Sequence, residues 1–150
     1  MGKIYDSLIK FFYEDWFFTQ NDEATFLRLL YDGKNGEWVS YAQAYEGRNQ
    51  FVFYSVYPQS IPDHQRPSMA ELLTRINYGL VLGNFEMDYE DGEVRFKTSI
   101  DIENSDLTAD LIKPVVFANL GMMDRYWPAL TAVFDDRAKP KEAIELIKRI

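Results

Sequence analysis

Apolar residues recur at three- and four-residue spacing from the start of the chain. Ile4, Tyr5, Leu8, Ile9, Phe12 and Trp16 fall on one side, with Asp6, Lys10 and Glu14 opposite. That period predicts an amphipathic helix. Phe17 and Phe18 follow Trp16 directly, and one helical face cannot hide three consecutive aromatics. The period then shifts to two. "TFLRLLY", "EWVSYAQAY" and "QFVFYSVY" read as strands separated by "DGKNG" and "EGRN", short Gly/Asn turns of hairpin type, which predicts an antiparallel meander. The third strand carries Phe51, Phe53 and Tyr57 on one side and Val52, Tyr54 and Val56 on the other; the first sets Leu27 and Leu29 opposite Phe26 and Leu30. An open antiparallel sheet with one wet face would alternate apolar with polar, so a cover is expected over the second face, either a terminal helix or another chain.

After the Pro-rich loop "YPQSIPDHQRP", Ser68 with Glu71 forms a capping-box pattern ahead of a helical stripe of Met69, Leu72, Leu73, Ile76 and Leu80. Gly79 is placed to end that helix in a left-handed conformation. The stretch "NYGLVLGNFEMDYEDGEVRFKTSID" reads as a hairpin. A type I′ turn at Asp91-Gly92 would face Met87 with Phe96, Asp88 with Arg95 and Glu86 with Lys97, putting Phe85, Met87, Tyr89, Val94, Phe96 and Ile100 on one side. The acids of this segment are then largely answered across the strands. Thr108 is a candidate N-cap for a helix through "LIKPVVFANLGMMDRYWPALTAVF", with Leu111, Val115, Ala118 and Met122 on one face, widened by Ile112, Val116, Met123 and Leu130. Pro114 and Pro128 should each kink or restart it. Pro140 suits the first turn of a last helix whose apolar face is Ala143, Ile144, Ile147 and Ile150, with Lys148 and Arg149 at its C-terminal end.

Composition adds little that the pattern does not. The 150 residues suit one domain, residues 1–150, and 47% of them are hydrophobic, including eleven Phe, ten Tyr and three Trp. No cysteine is present to staple the fold, so packing must stabilise it. A net charge of −8 and a pI near 4.6 disfavour nucleic acid and anionic membrane as partners, and no basic cluster stands out along the chain. The N-terminus lacks a secretory pattern, and "PVVFANLGMM" is far shorter than the roughly 20 residues a spanning helix needs, which leads to the expectation of a soluble, cytoplasmic protein.

The segment "RPSMAELLTRINYGLVLGNFEMDYEDGEVRFKTSID", then "LT" and then "MMDRYWPALTAV", resembles the YbjN-like family, described as bacterial sensory-transduction regulators, with a fold similar to that of type III secretion chaperones. The resemblance runs from about Tyr54 to Phe134 and rests on Asn77-Tyr78, Gly83-Asn84-Phe85-Glu86 and the "DGEVR" turn. It implies an α+β domain in which an antiparallel five-stranded sheet, in α-β-β-β-α-β-β-α order, packs with helices. It further implies a homodimer that binds protein and is not an enzyme, with no catalytic residues to carry over. Pro114 departs from the uninterrupted helix the resemblance suggests, and residues 139–150 are expected to be a C-terminal helical extension.

The chemistry-bearing residues agree with that. One histidine and no cysteine leave too few groups for nucleophilic triads or for thiolate and poly-His metal sites, so no cofactor or metal is expected. His64 reads as a loop residue. "DYEDGE" lacks the acidic alternation of a calcium loop, with Ser99 standing where a bidentate glutamate is needed, and "GLVLGNF" lacks phosphate-loop spacing. Trp16, Phe17 and Phe18 are either core or a ridge that meets a partner, and Tyr54 belongs to the second apolar sheet face. Arg66 and Arg75 flank the second predicted helix as candidates for orienting an acidic partner. Two functions follow: a protein-interaction module, or a small-ligand sensor with a cavity between the sheet and the long helix.

Overall fold

A computed structural model describes residues 2–148. The elements run α1 (Lys3–Phe12), β1 (Phe18–Asn21), β2 (Phe26–Asp32), β3 (Glu37–Tyr45), β4 (Gln50–Val56), α2 (Arg66–Tyr78), β5 (Asn84–Met87), β6 (Val94–Asp101), α3 (Ala109–Phe134) and α4 (Pro140–Lys148), with short 3₁₀ turns at Glu46–Arg48 and Asp63–Gln65. The fold is α+β. Its sheet has six strands in the order β1-β2-β3-β4-β6-β5, every neighbouring pair antiparallel. The added strand is β1, a four-residue edge strand joined to β2 through an Asn21 side chain that accepts from the Ala24 N–H at 2.8 Å. Its length is too short for alternation to reveal it.

The register sorts the sheet into two faces. Leu27 pairs with Ala42, Ala42 with Phe53, and Ser55 with Phe96, which places these residues together on the inner face with Leu29, Trp38, Phe51, Val94 and Phe85. All of them are buried. Phe12 of α1 stacks on Phe53 at 6.3 Å, a burial worth roughly 1.5–3 kcal/mol for a side chain of this kind. Trp127 of α3 lies 5.5 Å from Trp38. α3 also approaches by polar contacts. Asn119, fully buried, donates its amide to the carbonyls of Phe53 and Phe96 at 2.8 and 3.1 Å, and Thr98 donates to the Val115 carbonyl at 2.7 Å. α4 packs on α2 and α3 rather than on the sheet.

Local chemistry explains the ends. The N-terminus of α1 has no cap of its own; instead the Glu46 carboxylate, brought from the β3–β4 connection, accepts from the Ile4 and Tyr5 N–H groups at 3.1 and 2.8 Å. Thr108 caps α3 by accepting from the Leu111 N–H, as its position predicts. α3 then runs as one helix for 26 residues through both Pro114 and Pro128, so of the expected kink or restart at each proline the restart does not occur. Proline in a helix removes one N–H and strands the carbonyl four residues earlier. For Pro128 that carbonyl is Asp124, and Asn35 supplies the missing donor at 3.0 Å.

Three other expectations are corrected. α2 begins at Arg66, continuing from the 3₁₀ turn at Asp63–Gln65, so Ser68 lies within the first turn and makes no cap; Glu71 pairs with Arg75 at 2.8 Å instead. Gly79 is right-handed, with φ −93°, and the left-handed glycine of that connection is Gly83, with φ 75°. The β5–β6 hairpin pairs Met87 with Val94, Glu86 with Arg95 and Phe85 with Phe96, two residues away from the type I′ register. A slip of two preserves the faces. The wider loop is held from outside: the Ile61 N–H donates to the Gly92 carbonyl at 2.9 Å and the Tyr57 N–H to the Val94 carbonyl at 2.8 Å. Tyr89 consequently stands in the loop, exposed. The predicted α4 face is present through Ile147, whereas Arg149 and Ile150 lie outside the described residues.

Candidate protein-interaction surface

Because the helices pack against the inner face, no helix among the described residues covers the outer face of the sheet. On it lie Phe26, Leu30, Val39, Tyr41, Tyr54, Val56 and the buried Val52, joined across strands by the pairs Leu30–Val39, Val39–Val56 and Tyr41–Tyr54, with the polar Arg28 opposite Tyr41 and Gln43 opposite Phe26 and Val52. Leu30 is 60% exposed. Phe26 meets Tyr41 edge to face at 5.5 Å. The apolar patch is bounded by charge on the β5–β6 side. Arg95 lies 4.1 Å above the Tyr54 ring and bonds Glu86 at 2.6 Å, and Lys97 reaches the other Glu86 oxygen at 3.0 Å. Burial pushes the Glu86 carboxyl up, yet the hydrogen bonds from Lys97 and Arg95 outweigh it and hold Glu86 below its ordinary value. Burial raises the Tyr54 hydroxyl, with Arg95 working against it.

The remaining candidate residues fall in several places. Trp16 is half-buried, with Phe12 at 5.3 Å, Tyr31 at 6.2 Å and Phe117 at 6.0 Å around it, and Phe18 turns inward on β1 toward Phe12. Phe17 alone projects, at 97% exposure. Arg66 is a bracket for two loops: it pairs with Asp63 and donates to the carbonyls of Ile61 and Tyr89 at 2.9 and 2.8 Å, with 14% of its side chain exposed. Arg75 is half-exposed on α2 and engages Glu71.

Two features escape a linear reading. The α2–β5 connection exposes Tyr78 at 95% and Val81 at 96%, along with Leu82. A groove of about 650 Å³ opens between α2, α3 and α4, lined by Ile76, Tyr126 and Ile144 with Arg75, Lys141 and Lys148 around them. Its residues come from three helices far apart in the sequence, and only the packing of α4 unites them. Where the sheet meets the long helix, Asn119 and Thr98 tie α3 directly to β4 and β6.

Reactive chemistry is sparse. His64 is exposed in its 3₁₀ turn, and among the described residues no group of three or more His, Cys, Asp or Glu is placed to hold a metal ion. No described helix is long and apolar enough to cross a membrane.

A six-stranded antiparallel sheet with helices packed on one face defines an α+β protein whose fold is like that of a chain in a chaperone–effector complex. The family model of YbjN, described as "Putative bacterial sensory transduction regulator", matches residues 12–132, and the chain belongs to that family. The solved structure of YbjN from E. coli superposes with a TM-score of 0.60 at 12% identity, covering 80% of this chain and 85% of that one. The HopA1–SchA chaperone–effector complex contains a chain that superposes with a TM-score of 0.50 at 18% identity, covering 83% and 89%. At these identities the likeness is one of fold. Curated protein sequences gave no match. α4 lies beyond the residues that the family model matches.

Proposed function

We propose that this chain is a non-enzymatic protein-interaction module, a chaperone-like or regulatory adaptor of the cytoplasm that acts as a homodimer of one-domain subunits. The observation that carries this reading is the outer sheet face, which no helix among the described residues covers and where Leu30, Val39, Val56 and the Tyr41–Tyr54 pair lie side by side across three strands. Such surface is favourable to bury, and a second copy offers the same patch in self-complementary form. Membership of a family of sensory-transduction regulators and the fold shared with a chain of a chaperone–effector complex support a binding role.

Light scattering over a concentration series tests it. The mass should approach that of two chains as concentration rises, and Leu30→Asp should hold it at one chain while leaving the thermal transition in place. A mass of one chain at every concentration would overturn the homodimer.

A further inference from the structure

We infer that the groove between α2, α3 and α4 is a docking site for an acidic, amphipathic peptide segment of a partner protein, an inference that rests on the reading of this chain as a protein-interaction module. The floor is apolar, from Ile76, Tyr126 and Ile144, and the margin is cationic, from Arg75, Lys141 and Lys148 with Glu145 as the acid among them. This charge runs against that of the whole chain, which is −8. A cationic margin on an acidic protein selects by potential, steering acidic segments in and turning basic ones away.

Two observations favour a peptide over a small carboxylate. The cations stand in water: the side chains of Arg75 and Lys148 are 46% and 67% exposed. A lone carboxylate gains little from such screened charges, whereas several carboxylates spaced along an apolar backbone use all three. Exposed Tyr78 stands on the groove wall, and Val81 and Leu82, three and four residues further along the chain, are exposed too. That reach suits an extended segment. Arg75 is partly answered by Glu71 and Lys148 lies 3.8 Å from Glu145, but Lys141 has no carboxylate within 4.0 Å among the described residues. It is the cation most available to a ligand. α4 lies outside the stretch matched by the family model, so the wall that carries Lys141, Ile144 and Lys148 is added to a face that the matched stretch supplies.

Selection from a random peptide display library against the full chain tests the assignment. Recovered peptides should carry Asp and Glu interspersed with Leu, Ile or Phe. As synthetic peptides they should lose roughly tenfold in affinity to a Lys141→Glu, Lys148→Glu variant and weaken several-fold between about 50 and 300 mM salt. Dodecanoate should fail to displace them; displacement would reassign the groove to a small amphiphile. No enrichment, enrichment of neutral or basic peptides, or equal binding to the double variant would overturn the inference. Peptides that ignore the double variant but are lost with Leu30→Asp would remove the groove while leaving the sheet-face reading intact.

Discussion

The side-chain amide of Asn77 bonds the backbone of Phe85 in both directions: it accepts from the Phe85 N–H at 2.8 Å and donates to the Phe85 carbonyl at 2.9 Å. β5 is an edge strand, so these two backbone groups would otherwise face outward without a strand partner. Asn77 therefore closes one position of the sheet edge and fastens the C-terminal turn of α2 to it. Asn77→Ala should cost about 1–2 kcal/mol in urea unfolding and accelerate hydrogen exchange at the Phe85 amide above its neighbours. Unchanged exchange there would show that the edge is closed by other means.

The grip of Asn35 on α3 should depend on Pro128. Asn35 donates its backbone N–H to the Asp124 carboxylate at 2.7 Å and its side chain to the Asp124 carbonyl at 3.0 Å. Asn35→Ala should destabilise by about 1 kcal/mol. Pro128→Ala returns a helical N–H to the same carbonyl, so the loss from Asn35→Ala should shrink in that background. A double-mutant cycle in urea measures the coupling; strict additivity would argue against it.

Stability should fall in acid partly through Glu86. Its carboxyl is held below the ordinary value in the folded state, so its contribution is present above the unfolded value of about 4.3 and is lost as pH falls through the folded value. Glu86→Gln should therefore be less stable than the natural chain at pH 6, and the two should converge toward pH 3. Urea midpoints across that range read the difference. A gap that stays constant with pH would assign the effect to shape rather than charge.

Gly92 sets the hairpin register. Its φ is 78°, and an added Cβ would meet the Ile61 backbone that bonds its carbonyl. Gly92→Ala should cost about 2–4 kcal/mol through backbone strain and loss of the docked loop. Thermal unfolding of this variant beside Gly47→Ala, where a Cβ meets nothing within 4 Å, isolates the positional effect.

Trp16 and Phe17 should separate cleanly. Trp16→Ala removes a ring that contacts Phe12, Tyr31 and Phe117 and should destabilise by about 2–3 kcal/mol. Phe17→Ser touches a nearly fully exposed ring and should stay within about 0.5 kcal/mol. Equal losses in chemical denaturation would mean that Phe17 is also packed.

Hydrophobic period carried the local information. The stripes Ile4–Phe12 and Met69–Ile76 and the alternation of Phe51 and Phe53 are each set by a spacing that the backbone geometry imposes, and each appears where the spacing puts it. Turn details were less legible because they answer to distant partners. The type I′ register gave way to contacts from Ile61 and Tyr57, the cap of α1 came from Glu46, and the helix through Pro128 was rescued by Asn35. β1 was silent because only Phe18 in it turns inward from an apolar position.

The sequence by itself determined which residues are apolar on both sides of β2 and β4, and hence that a second face needed explanation. Only the tertiary structure decided that α1, α2 and α3 all pack on the inner face, leaving no helix over the outer one among the described residues, and that α4 would bring Lys141 and Lys148 beside Arg75. The reason is one of range. Periodicity records what each residue needs from its nearest turns or strands, whereas the side on which a helix lands, and which cations then share a groove, depend on contacts between segments that no local spacing encodes.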